Sequence, residues 1–525
     1  MVNPRVHAKA QEVGEAQPLR LAMLRQVGPA MATVAACVVA TYVVPSLEFA
    51  RPWKTGDPLP FWNLIGRPLD AEELQAEEDR AEEVEEVAQE VLAAKDPEPV
   101  VAPPREVVEV DAVETLPPYE AREGDDKKAV QKIDLFEGHE LDGFFEELAR
   151  ADAGIEGSVV RVIHWGDSSI GIDGIPGAIR RRMQNRFGDA GHGFHLMAPP
   201  NTSYRHREVA FSHNDSWKKC FIIYKCRSDG HYGLGGTSFE SWGGAQSSFA
   251  PHPERSSGKV SRFQLFYAGQ PEGGKIRVQV DDGEKIVLET AADALDDRVW
   301  SAEVPDGPHR LTVRAVGEGQ VRVYGVAMER PGPGVVWDSA ALVGAFTNRM
   351  NELDEVHLGN QLRQRGTDLV VFTFGGNDMI RKVAMSTYAE EYRAVIDKVR
   401  KAKPEAACLV MAPLDHGERQ GAQILSRDVV SRMVKAQREV AKDTGCAFFD
   451  TFSAMGGEGS AGRWYKRKPR LMSGDLGHAT ASGHQVIGEL FFRAMLQAYI
   501  DYRERADVEG IPAKAEEAVV IVDED

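Results

Sequence analysis

The sequence predicts an α/β fold: a three-layer α/β/α parallel sheet with an all-β, jelly-roll-like sandwich inserted into it. Three observations predict this. Apolar β-rich runs alternate with amphipathic helical stretches near 135–200 and again over 331–505, which is the pattern of a parallel sheet covered on both faces. Between them, over 201–330, short β-rich stretches follow one another with only Gly, Asn, Asp and Pro between. At 525 residues the chain also exceeds the roughly 250–300 at which one core stops growing, so two folded units and some tail are expected.

Taken in order, the first feature is "QVGPAMATVAACVVATYVVPSL", residues 26–47, 22 residues without a charge, preceded by Arg20 and Arg25. As a helix it is long enough for a hydrocarbon core of about 30 Å. The flanking basic residues place the N-terminus in the cytoplasm and the rest outside, so 1–50 is expected to be a single-pass membrane anchor. A cleaved signal peptide, or lipoprotein processing at "VAAC", is the alternative. Residues 51–134 are acidic ("DAEELQAEEDRAEEVEEVAQEVLAAK") and then Pro-rich, and are expected to form a solvated stalk and linker. The formal net charge of −19 argues against a nucleic-acid partner, whose phosphates demand basic surface.

Globular sequence starts near Ile133. A helical period over 141–154 ends at Gly154, "SVVRVIH" reads as a strand, and "GAIRRRMQNRFGDAG" as a helix. These open the first part of the α/β domain, 135–200. The insertion, 201–330, carries "KCFIIYK", "RFQLFYAG", "KIRVQVDD", "HRLTVRAV" and "VRVYGVAM". Its second part, 331–505, repeats strand then helix three times: "TDLVVFTF", "ACLVMAP" and "CAFFDTF" each precede a helical stretch. Residues 506–525 are an acidic tail, with "AVVIV" a possible edge strand.

In such sheets functional groups gather beyond the carboxyl ends of the strands. There the chain sets Gly-Asp-Ser (166–168), Gly-Gly-Asn-Asp (375–378) and Asp-Leu-Gly-His (475–478). A serine hydroxyl attacks well only when an imidazole takes its proton and a carboxylate orients that imidazole. Ser168, His478 and Asp475 fit those roles, while Asn377 and the Ser168 backbone N–H are candidate oxyanion donors. Each piece alone reads as a turn or cap residue; their joint occurrence at successive strand ends carries the functional reading.

These motifs resemble the SGNH (GDSL-like) hydrolases, whose Ser, Gly, Asn and His blocks correspond here to Ser168, Gly344 within "GPGVVWDSAALVGAF", Asn377 and His478, with Asp475 beside the last. The resemblance implies a serine esterase acting through an acyl-enzyme on Ser168, without cofactor or metal. The large β insertion further resembles that of bacterial envelope O-acetylesterases acting on peptidoglycan or related polysaccharides, with a carbohydrate-binding-like insert. It implies an O-acylated polysaccharide substrate, acetyl as the acyl group, and a catalytic part in the periplasm on an inner-membrane anchor. An O-acetyltransferase with the same triad and a non-catalytic glycan-binding scaffold are the other readings.

The remaining residues carry bland expectations. Ser169 is expected to cap the following helix, Asp167 to support the turn, and His484, on another helix face from His478, to lie at the surface or behind the residues of the site. His192 and His195 lack a third metal ligand at useful spacing. Trp217, Tyr232 and Trp242 are expected in the sandwich core. Cys408 and Cys446 read as buried small side chains, and Cys220 and Cys226 pair only if the chain turns between them.

Overall fold

The structure, a computed structural model, describes residues 41, 71–94, 107–381 and 383–514. Contacts divide the chain into two compact units, Met1–Ala76 and Glu77–Asp525. Apart from residue 41, the apolar run 26–47 lies outside the described residues, as does "AVVIV". Among the described residues no helix is long and apolar enough to cross a membrane.

The larger unit is built on a six-stranded sheet. Its strands are β1 (Ile133–Asp134), β2 (Val159–Gly166), β3 (Gly334–Ala341), β4 (Leu369–Thr373), β5 (Ala407–Met411) and β6 (Ala447–Phe449), in the order β1-β6-β5-β4-β2-β3. All pair in parallel except β1, an antiparallel edge on β6. Side chains along a strand alternate faces. Val162, Val371 and Leu409 pack with one cluster, and Ile163, Val370 and Val410 with the other, so near-continuous apolar strands are buried on both sides.

Helices cover both faces. The first of these clusters holds side chains of α1 (Ala71–Ala93), α2 (Asp142–Asp152), α3 (Ile175–Phe187) and a long C-terminal helix, Ala481–Ala506. The other holds those of α4 (Glu355–Arg365), α5 (Met385–Ala402) and α6 (Asp428–Asp443). Local chemistry sets the ends. Pro176 sits in the first turn of α3, the Asp354 carboxylate accepts from His357 N–H at the start of α4, and Gly366 closes α4 at φ 67°.

Between β2 and β3 in the chain lie two antiparallel sheets of five and six strands, packed over the cluster that holds Phe194, Phe266 and Tyr324. The second sheet also recruits Gly191–Leu196, which pairs with Val321–Glu329. This strand lies upstream of the expected start of the insertion at 201. His192 and His195, on that strand, are buried; their ring nitrogens face the carbonyls of Lys259 and Leu196. Trp217 and Tyr232 are core residues, whereas Trp242 is 62% exposed, against expectation.

Three expectations need correction. The acidic segment is not all solvated spacer: Val84, Val87 and Ala88 of α1 are buried, and Glu90 pairs with Arg493 at 2.6 Å. The i, i+3, i+4 stripe among the glutamates is the physical reason. Residues 107–134 are likewise packed, with Leu116 buried and Asp125 bridging Arg186 at 2.7 Å, and Ile511 and Ala513 of the tail lie against residues 114–116. Finally, both cysteine pairs are disulfides. Cys408 on β5 and Cys446 next to β6 are brought to a Cα separation of 4.8 Å by the strand pairing, and a short turn, Ile222–Tyr224, brings Cys220 within 5.9 Å of Cys226.

Candidate active site

The register of the central strands assembles the site. Gly166, the last residue of β2, lies opposite Ala341 of β3 and Thr373 of β4. Their following loops therefore emerge side by side. A Cβ on Gly166 would stand 2.5 Å from Thr373 O, so only glycine lets the strands close there. Leu342 N–H donates to Gly166 O at 2.7 Å and Asp167 N–H to Thr373 O at 3.1 Å, which fixes the three loops to one another.

Ser168 opens a short 3₁₀ stretch, Ser168–Asp173. The cap is the Asp167 carboxylate, which accepts from Ser169 N–H at 2.9 Å; Ser169 is thus the capped residue and not the cap. The other oxygen of Asp167 accepts from Asn377 N–H at 3.4 Å, tying the serine loop to the asparagine loop. Burial pushes the Asp167 carboxyl up, against the hydrogen bonds it accepts. Ile172 and Asp173 have φ of 55° and 53°, a left-handed backbone that L-residues adopt at a cost of about 1 kcal/mol or more each. Asp173 is held there by buried Arg180, which bonds it at 2.6 Å and Glu208 at 2.8 Å.

The third loop is a tight turn between α7 (Ser460–Lys466) and α8 (Ala481–Ala506). Ser473 N–H donates to His478 O at 2.8 Å, and Thr480 Oγ1 accepts from Gly483 N–H at the start of α8. Within the turn one oxygen of Asp475 accepts from Gly477 N–H at 3.0 Å, His478 N–H at 3.1 Å and the Ser473 hydroxyl. The other faces His478 Nδ1 at 2.7 Å. Burial opposes the charge on Asp475, but these bonds outweigh it and hold the carboxyl well below the usual range.

His478 Nε2 lies 2.8 Å from Ser168 Oγ. Serine, imidazole and carboxylate therefore form one hydrogen-bonded chain. With Nδ1–H donating to Asp475, Nε2 is free to accept the serine proton. Asn377 Nδ2 donates to Ala345 O at 3.1 Å, joining the glycine loop to the asparagine loop. Gly344 is exposed, has φ of 87° and faces open space where a Cβ would stand. Among the described residues neither Ser168 N–H nor Gly344 N–H has a hydrogen-bond partner. The structure thus brings together all five residues singled out in the sequence.

It also adds His416, which no motif marked. Its ring lies where a Cβ on Gly376 would be 3.5 Å from Nε2, and one on Gly477 3.0 Å from Nδ1, so the imidazole fills the space between the asparagine and histidine loops. Burial, then His478 and Arg427, push its pKa down to about 4. The available signal was its place just beyond β5, another strand end. His484 is buried, the inner of the two places expected for it: its ring packs on Gly174, and among the described residues Nδ1 has no hydrogen-bond partner.

One group among the described residues has metal-ligand spacing: His231, Asp297 and His357. Gly233 N–H donates to His357 Nε2 at 2.8 Å, and Nδ1 lies 2.6 Å from Asp297. Both nitrogens of His357 are committed, which leaves that ring no lone pair for a cation. Asp297 also accepts from Asn360, so the group clamps the insertion to α4.

Residues 315–486 match the GDSL-like Lipase/Acylhydrolase family, a stretch that holds Gly344, Asn377, Asp475 and His478, with Ser168 upstream of it. No curated protein matches the chain. Among solved structures, a peptidoglycan O-acetylesterase aligns over 68% of this chain and 96% of its own at 19% identity, with a TM-score of 0.58. A family two carbohydrate esterase from Cellvibrio japonicus aligns over 56% of this chain and 98% of its own at 13% identity, with a TM-score of 0.22.

Proposed function

The α/β part of this chain is a GDSL-like (SGNH) acylhydrolase domain and the protein a carboxylic ester hydrolase, and from that premise we propose that it removes O-acetyl groups from a cell-envelope polysaccharide such as peptidoglycan. The observation that carries the chemistry is the Ser168–His478–Asp475 chain, with contacts of 2.8 and 2.7 Å. Ser168 Oγ attacks the ester carbonyl as its proton passes to His478 Nε2. The developing oxyanion accepts from the N–H groups of Ser168 and Gly344 and from Asn377 Nδ2. His478 then protonates the leaving sugar oxygen as the C–O bond breaks. Water, deprotonated by His478, attacks the acyl-Ser168 carbonyl and releases acetate and free serine.

The polysaccharide reading is supported by the β insertion clamped to α4 and by the fold shared with a peptidoglycan O-acetylesterase. Work outside the cytoplasm is supported by two disulfides and by the uncharged run 26–47 as an anchor. The test is acetate release from O-acetylated peptidoglycan. Ser168→Ala is expected to lower turnover of an aryl acetate by at least about 1,000-fold, leaving glycan binding intact. Wild-type turnover by that variant overturns the mechanism. Transfer of acetyl to an added oligosaccharide, in place of acetate release, identifies a transferase.

A further inference from the structure

On a chain of net charge −19, residues 463–470 carry five basic side chains and no acidic one. The stretch 463–470, RWYKRKPR, runs from α7 into the turn that carries Asp475 and His478. Arg470 O accepts from Thr480 Oγ1 at 2.6 Å, at the foot of that turn. On the other side a hairpin, Gly417–Gln420 with Gln423–Ser426, is tied to the turn by Gly417 N–H donating to Leu476 O at 2.8 Å. It carries Arg419. The guanidinium carbons of Arg419 and Arg470 lie 5.0 and 4.3 Å from the centroid of the Tyr465 ring.

Two cations on one ring repel each other, and among the described residues no carboxylate forms an ion pair with either. Among the described residues Arg419, Arg470, Lys466 and Lys468 are exposed and have no ion-pair partner. By contrast, the buried Arg180 pairs with Asp173 and the buried Arg365 with Asp338. Even Arg467, in the same stretch, meets Glu85 of the acidic helix α1 at 3.0 Å. The aromatic ring holds the two planar guanidinium groups in place, which lowers the entropy lost when they bind an anion. A strongly acidic protein repels an anionic polymer, and a local positive rim beside the turn that carries Asp475 and His478 opposes that repulsion near the site.

We propose that Arg419 and Arg470, ordered on Tyr465, form an anion-binding rim that takes carboxylate or phosphate groups carried by the acylated glycan, so that the substrate is an anionic polysaccharide. This rests on the reading of the protein as a glycan esterase. Neutral acetylated glycans then meet the same triad without the rim's contribution.

The full chain and its Arg419→Gln/Arg470→Gln variant are compared on O-acetylated peptidoglycan, on neutral acetylated xylooligosaccharide and on 4-nitrophenyl acetate, with rising sodium chloride. The variant is expected to lose about tenfold in kcat/KM on peptidoglycan, through KM, as two exposed charge contacts allow, and nothing on the two neutral esters. Salt is expected to weaken the wild type on peptidoglycan alone. Equal losses on all three substrates, or none on peptidoglycan, overturn the proposal. So does loss of binding to phosphatidylglycerol vesicles with peptidoglycan turnover intact, which assigns the rim to a membrane surface. If the wild type releases no acetate from either glycan, the esterase reading fails separately. The rim is then judged by poly-glutamate inhibition of aryl acetate hydrolysis: retention by the wild type and loss in the variant supports it, and absence in both overturns it.

Discussion

His416 is a positioning residue whose role follows from what its ring separates. It stands between Gly376, next to Asn377, and Gly477, next to His478. A leucine there keeps bulk but not shape, and small displacements of reacting groups are expensive in rate. We expect His416→Leu to lower kcat on an aryl acetate about tenfold with KM little changed. With its pKa near 4 the imidazole is neutral wherever the triad works, so the pH profile should keep its shape. A shifted limb, read from kcat against pH, would show that His416 carries protons instead.

Among elements, the pairing of β5 with β6 is reinforced covalently. The Cys408–Cys446 bond closes a loop with a sequence separation of 38 across α6. By loop-closure entropy, cross-links of this span contribute about 3–4 kcal/mol. Cys408→Ala/Cys446→Ala is expected to lower the Tm by several degrees, measured calorimetrically, while the Ser168–His478 contact and aryl acetate turnover persist at low temperature. Reduction of the wild type, which also opens Cys220–Cys226, should lower the Tm at least as far. A Tm unmoved by either change would count against the bond.

For the whole molecule, the buried histidines are one part of the response to acid. Burial holds His164 and His195 down to about 3 and His416 and His484 down to about 4, below the ordinary imidazole value of 6.5. Between about pH 6.5 and 4 the unfolded chain protonates these imidazoles and the folded one does not, so their contribution to stability rises with pH across that window, opposed by the buried Asp368 carboxyl, which burial pushes up to about 7. Unfolding followed from pH 7 to 4 reads the balance, and single variants separate its parts. His164→Asn, which removes one such group from the core, should flatten the slope by about one proton. An unchanged slope would mean that acid acts elsewhere. The same scale shows why the ends of the chain were misjudged: in α1 a narrow stripe of Val84, Val87 and Ala88 is outnumbered by glutamates, and only a docking surface reveals that it is buried.

The sequence by itself determined the alternation of strand and helix, the interruption by β structure, and the residue types at the strand ends, because hydrophobic period and turn chemistry are local. That was enough to single out Ser168, Asn377, Asp475 and His478, while Gly344 came only from the family resemblance. Only the tertiary structure decided what depends on the pairing of distant strands. Register places Gly166, Ala341 and Thr373 level, so that three loops meet. The join of β5 to β6 brings Cys408 to Cys446, and the folded loops put His416 between two glycines and Arg419 with Arg470 on one tyrosine ring. Contacts between residues far apart in sequence leave no periodic trace along the chain, which is why these features appear only once it is folded.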